Sequence, residues 1–284
     1  MAEVGVLGFG TMGTGIAQLC AQAGHDVVVV EASEERLQAG FERLDALVRK
    51  GVDRGKLSVE LAAELRRRIE GATDVGAAAR CSVVVESVTE DADVKRAVLA
   101  DLSAAVASHA LVATNTSALS VTGLASAVVE PARFVGLHFF NPAPVMPLIE
   151  VVRALQSSHE TVARAQEFAA SLEKEVVTVG DRPGFMVNSL LMPYLNQAIS
   201  ELDAGLAAPE EIDKALRLGL GYPMGPFELL DLIGLDTHRH ATTTAYEQTG
   251  DPLYAAPPLL DRMVAAGWLG RKSGIGFVTG EVAR

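Results

Sequence analysis

Short runs rich in Val and other strand-forming residues recur along the first two thirds of the chain, at residues 4–7, 27–30, 83–88, 110–113, 134–137, 147–152 and 176–179. Longer helical patterns separate most of them, and that alternation predicts a parallel sheet flanked by helices, a doubly wound α/β domain. One interval stands apart. Residues 33–73 read as two charged amphipathic helices meeting near 51–55, a helical hairpin inserted into the alternating pattern. After Gly180-Asp181-Arg182-Pro183-Gly184 the strand runs stop, and helical patterns take over at 185–205, 209–218, 227–233, 237–249 and 258–266. This shift predicts an α/β domain over 1–182 and an all-helical domain over 183–284.

The first strand runs directly into Gly8-Phe9-Gly10-Thr11-Met12-Gly13, then a helical run, Gly24 and a second strand ending at Glu31. A lone G-x-G-x-x-G says little, but strand, glycines, helix, strand and terminal acid in this order are the Rossmann context that makes it a dinucleotide fingerprint. Gly8 permits the tight turn, Gly10 lets backbone amides approach a pyrophosphate, and Gly13 lets the helix pack on the strand with its N-terminus facing the anion. Thr11 and Met12 belong to the same cofactor-binding loop. Glu31 would accept hydrogen bonds from an adenosine ribose and repel a 2′-phosphate, so NAD is expected over NADP, with Arg36 the nearby cation that opposes this reading.

Charge and cysteine usage narrow the partners. With 24 Lys and Arg against 36 Asp and Glu, the formal charge is −12, which argues against a nucleic-acid binder. No apolar run approaches the ~20 residues of a membrane span. Met1-Ala2-Glu3-Val4 carries no leader pattern, Cys20 and Cys81 read as buried thiols, and a cytoplasmic enzyme is expected. The Asn115-Thr116-Ser117 glycosylation match is then accidental. His238 and His240 lie two apart on a helical run, so they face different ways and read as a solvated pair; no metal is expected. Arg66-Arg67-Arg68 reads as charge on an exposed helix.

The densest polar chemistry beside strands spans residues 114–150. Asn115-Thr116-Ser117 closes one strand, His138-Phe139-Phe140-Asn141-Pro142 another, and Glu150 sits within Leu148-Ile149-Glu150-Val151-Val152. Ligands of open α/β sheets bind beyond the carboxyl ends of strands. An imidazole with a carboxylate partner is a general base, because the carboxylate sets the tautomer and stabilises the imidazolium.

Seven segments together resemble the short-chain L-3-hydroxyacyl-CoA dehydrogenase family over nearly the whole chain: 8–13, 115–120, 136–146, 148–152, 182–198, 221–237 and 270–277. The most specific are G-L-H-F-F-N-P-A-P-V-M at 136–146, P-G-F-M-V-N at 183–188 and Y-P-M-G-P-F-E-L-L-D at 222–231. The resemblance implies an NAD-dependent enzyme in which His138 takes the 3-hydroxyl proton, Glu150 partners it, and Ser117 and Asn188 hydrogen-bond the substrate oxygens. It places Asn141 in support of the His138 loop. Glu90, Lys95 and Asn115 fall at cofactor positions near the nicotinamide and its ribose. A homodimer is implied as well.

The carrier is less constrained. Arg49, Lys50, Arg54 and Lys56 form a basic stretch at the turn of the helical hairpin, where Lys50 and Lys56 would meet CoA phosphates. Departures from the family pattern at Ala118 and Ser189 keep a hydroxyacyl group on acyl carrier protein as the rival substrate. The β-hydroxyacid dehydrogenases share a similar glycine motif, but they place a catalytic Lys on the helix opening the second domain; residues 183–204 contain none, and the next is Lys214. A non-catalytic dinucleotide-binding protein would lack His138, Glu150 or the glycines, and all are present.

Overall fold

A computed structural model describes residues 3–280. It divides into two compact units, Met1–Asp181 and Arg182–Arg284. The first unit is built on one sheet of strands β1 (Glu3–Leu7), β2 (Asp26–Val30), β3 (Ile69–Ala72), β4 (Val83–Glu86), β5 (Leu111–Thr114), β6 (Phe134–Phe139), β7 (Leu148–Arg153) and β8 (Glu175–Gly180), in the order β3-β2-β1-β4-β5-β6-β7-β8. Around it lie helices α1 (Thr11–Gln22), α2 (Glu34–Asp53), α3 (Val59–Arg67), α4 (Ala92–Ala105), α5 (Val121–Ala125) and α6 (His159–Ser171). The second unit holds α7 (Val187–Asp203), α8 (Pro209–Leu220), α9 (Pro226–Ile233), α10 (Leu235–Thr249) and α11 (Pro258–Ala265).

The central strands are buried on both faces, which is why they read as continuous valine runs without alternation. Val6, Val29, Val85 and Leu137 pack in one core with Ile16 and Cys20 of α1. The second unit has its own core, where Leu195 and Ile199 of α7 meet Phe227 of α9, whose ring lies 4.9 Å from that of Phe277.

Two features depart from the expected sheet. β3 is an additional edge strand inside the interval read as a helical hairpin; Ile-Glu-Gly-Ala has no alternation of its own and is a strand because it pairs in parallel with β2. The sheet is also not wholly parallel: β7 runs antiparallel to β6, and β8 parallel to β7. The segment joining β6 to β7 is shorter than the dozen or so residues a parallel crossover needs, so the chain must turn back.

The hairpin itself forms, with α2 capped by Ser33 Oγ on Arg36 N and α3 by Ser58 Oγ on Leu61 N. Its basic triplet is more than surface charge. Arg68 donates to Gly24 O at 3.0 Å and to the Asp26 and Glu64 carboxylates at 3.0 and 2.8 Å, and Arg66 lies 4.2 Å over the Phe41 ring. These contacts tie α3 to the start of β2 and to α2. Cys20 and Cys81 are buried thiols, and burial pushes them up to about 12 and about 11. His238, expected at the surface, is 4% exposed and pairs through Nε2 with Asn196 Oδ1 at 2.9 Å; His240 is exposed. Among the described residues, no helix is long and apolar enough to cross a membrane.

Candidate active site

Two neighbouring clefts open on the first unit, the first at the carboxyl ends of its parallel strands. This one, of about 470 Å3, is lined by Gly10, Thr11 and Met12 from the glycine loop, by Glu90, Asn115 and Ser117, and by His138 of β6 and Asn141 beyond it. The other, about 520 Å3, lies between α1 and the α2–α3 turn, with Lys50, Arg54 and Lys56 on one side and Asn141 to Val145 on the other. Asn141 lines both clefts and is exposed.

The glycine loop fits a dinucleotide by what its side chains leave out. Gly8 has φ +88°, and a Cβ there would meet Ser87 O at 2.6 Å; a Cβ on Gly13 would meet Gly8 O at 1.9 Å. Both are demands of the fold. A Cβ on Gly10 would meet nothing within 4 Å, so the packing does not require glycine there, and the open space it leaves faces the cleft. Gly10 is also the N-cap of α1, with no side-chain cap and no acid in the first turn. The amides and the positive end of α1 are therefore left for an anion. Glu31 Oε1 accepts from Phe9 N at 2.8 Å and Oε2 from Ala32 N at 2.9 Å, which holds the carboxylate against the loop at the end of β2.

The antiparallel turn-back of β7 sets the acid–base pair. His138 and Glu150 are opposite one another in the β6–β7 register, so both side chains stand on the same face. His138 Nδ1 lies 2.6 Å from Glu150 Oε2, with side-chain exposures of 7% and 0%. Nδ1 is thereby committed to the carboxylate, and Nε2 is the ring's second nitrogen. The Phe140 ring centroid is 4.4 Å from the imidazole. Asn115 Oδ1 accepts from Phe139 N at 3.1 Å and braces the residue beside the histidine.

Beneath the cleft is a charge cluster of which the sequence reading identified only part. Lys95 has no exposed surface and does not line the cleft; Nζ donates to Glu86 Oε1 at 2.7 Å, Asn115 O at 3.1 Å and Val88 O at 3.4 Å, and is 3.6 Å from Glu90 Oε2. In this structure the ammonium joins the ends of β4 and β5, and the cofactor role expected of Lys95 would act from there, beside Glu90 and Asn115. Burial pushes the Glu86 carboxyl up, opposed by Lys95 and by hydrogen bonds from Thr114 and Val88. Glu90 Oε1 accepts from Thr116 Oγ1 at 2.6 Å, Ser117 N at 2.9 Å and, at 3.4 Å, Ser117 Oγ. Glu86, Thr114 and Thr116 were missed; the signal was an acid and two threonines at strand ends, which the valine runs had made look structural. Asn188 belongs to the second unit, half-buried as the second residue of α7.

A glycine-loop cleft opening onto a buried histidine–carboxylate pair defines a dinucleotide-dependent dehydrogenase acting on an alcohol. Family comparison makes this specific. Residues 3–182 match the 3-hydroxyacyl-CoA dehydrogenase NAD-binding domain and residues 184–280 its C-terminal domain. This chain belongs to the 3-hydroxyacyl-CoA dehydrogenase family, and NAD is its cofactor. It is 44% identical over 279 residues to the 3-hydroxybutyryl-CoA dehydrogenase of Mycobacterium tuberculosis, covering 98% of each chain. It is 40% identical to the human mitochondrial hydroxyacyl-coenzyme A dehydrogenase, covering 97% of this chain and 90% of that one. The crystal structure of (S)-3-hydroxybutyryl-CoA dehydrogenase from Ralstonia eutropha superposes with a TM-score of 0.94 at 40% identity, covering 99% of this chain and 100% of that one.

Proposed function

We propose that this protein oxidises short-chain L-3-hydroxyacyl-CoA thioesters, 3-hydroxybutyryl-CoA foremost, to the 3-oxoacyl thioesters, reversibly and with NAD. The observation that carries the reading is the His138–Glu150 pair in the same cleft as the glycine loop. NAD, when bound, supplies the hydride acceptor for the hydrogen on C3. His138 Nε2 takes the 3-hydroxyl proton, and Glu150 on Nδ1 stabilises the imidazolium that results. Ser117 and Asn188 are the donors to the substrate oxygens, whose negative charge grows as the proton leaves. Gly10, Thr11, Met12 and Gly13 hold the pyrophosphate, Glu31 the adenosine ribose, and Glu90 and Asn115 shape the nicotinamide end. Lys50 and Lys56 line the adjoining cleft in a chain of net charge −12, a local basic surface suited to CoA phosphates, with Asn141 between the two clefts.

A second copy of the chain is the expected partner. Leu190, Leu206, Leu218 and Leu220 of the second unit are 58–79% exposed, apolar surface that a second copy would cover. The expected compartment is the cytoplasm.

The carrier is tested by comparing kcat/KM for one 3-hydroxybutyryl group presented on CoA and on an acyl carrier protein. CoA is expected to win. A tenfold advantage for the carrier protein, about 1.4 kcal/mol of transition-state stabilisation, would reassign the substrate.

A further inference from the structure

Helix α7 contains Pro193 in its interior, four residues after Ser189. Proline has no amide hydrogen, so the carbonyl four residues before it loses its helical partner. That carbonyl belongs to Ser189, the residue after Asn188, and Ser189 is 5% exposed. A buried carbonyl without a donor is costly, and here the Tyr254 hydroxyl supplies one, donating to Ser189 O at 3.1 Å from a residue 3% exposed. Arg182 Nη2 donates to the same hydroxyl oxygen at 3.2 Å, which turns the hydroxyl hydrogen away from the guanidinium and toward the carbonyl.

Tyr254 is itself held firmly. Thr242 Oγ1 donates to its backbone oxygen at 2.7 Å, and Asn196 Nδ2 donates to Leu253 O at 3.2 Å and Ala255 O at 3.3 Å. The turn that enters α7 needs holding, since Gly184 and Phe185 both have positive φ, +74° and +49°, and the latter is strained for a residue with a side chain. We propose that Tyr254 is a positioning residue for Asn188: its hydroxyl replaces the amide that Pro193 lacks and so sets the direction of the first turn of α7. The proposal rests on the reading of Asn188 as a donor to the substrate.

Three variants test it: Tyr254→Phe, Pro193→Ala and the pair together. Tyr254→Phe removes one oxygen and keeps the ring. It is expected to lower kcat/KM for 3-hydroxybutyryl-CoA about tenfold, mainly through kcat because the contact it aims strengthens in the transition state, while the Kd for NADH from fluorescence titration is unchanged. Pro193→Ala restores an amide to Ser189 O, leaves activity near that of the parent, and in the double variant recovers most of the loss. A general loss of stability would not be repaired by that one amide. If the double variant is no better than Tyr254→Phe, or if removing the hydroxyl costs as much in the Pro193→Ala background as in the parent, the proposal is overturned; the latter comparison holds even where Tyr254→Phe alone folds poorly. Undiminished kcat/KM in Asn188→Ala would overturn the assignment of Asn188 instead, a result separable from the rescue.

Discussion

His138 and Glu150 meet at 2.6 Å with almost no surface in water. The contact fixes the orientation of the ring, and the proposed chemistry requires both residues. His138→Gln keeps a donor for the buried carboxylate but removes the base, and kcat is expected to fall ~10²–10⁴-fold while NADH binding is preserved. Glu150→Gln keeps the hydrogen bond and loses the charge, so kcat falls there too. Steady-state kinetics on folded protein check both, and near-parental turnover in either would remove the pair from the mechanism. The sequence offered both as candidates, a histidine closing one strand and an acid within another, and only the family resemblance joined them as a pair. The burial of Lys95 was not legible: nothing in Ala92–Ala105 distinguishes a lysine that lines a cleft from one with no exposed surface, because that depends on Glu86, Val88 and Asn115 converging on it from elsewhere.

The turn from β1 into α1 shows how an element separates folding from binding. Gly13 and Gly10 belong to one motif, yet a Cβ on Gly13 collides with Gly8 O at 1.9 Å while one on Gly10 meets no protein atom within 4 Å. Gly13→Ala is expected to destabilise the fold by roughly 1–3 kcal/mol, as overpacking does. Gly10→Ala is expected to leave the urea midpoint in place and weaken NADH binding, because the new methyl occupies the cleft. Denaturation curves and NADH titrations of the two variants separate these outcomes, and equal loss of stability in both would show that Gly10 is a packing residue. The motif spacing predicted the strand, the turn and the helix; it could not say which glycine serves which purpose. Likewise the α2 and α3 patterns were readable because their apolar stripes are periodic, whereas β3 has too few residues for any period and exists only through β2.

Each unit carries its own core, and the buried polar network of the second makes its stability pH-dependent. His238 is neutral there: burial pulls its pKa from 6.5 down to about 4, and Nε2 donates to Asn196 Oδ1 because the Asn196 amide nitrogen is committed to Thr242 and two carbonyls. The unfolded chain takes up this proton more readily than the folded one, so stability is intact above the unfolded value and is lost as pH falls toward the folded one. Across that window the loss from this residue is about 3 kcal/mol. His238→Gln retains a donor without the titration, so the fall in unfolding free energy between about pH 7 and about pH 4.5 is expected to be smaller in the variant. An identical fall in both proteins would discharge His238 from that role.

Local patterns along the chain were enough for the alternation of strands and helices, the glycine loop with its terminal acid, and the change to helices near Arg182. These depend on neighbours within a few positions, or on motifs that stand contiguous in the chain. The direction of β7, the edge strand β3, the burial of Lys95 and His238, and the use of Tyr254 to stand in for the amide missing at Pro193 were settled by tertiary packing. Each depends on groups distant in sequence meeting in space, and on whether a polar atom that has lost water finds another partner.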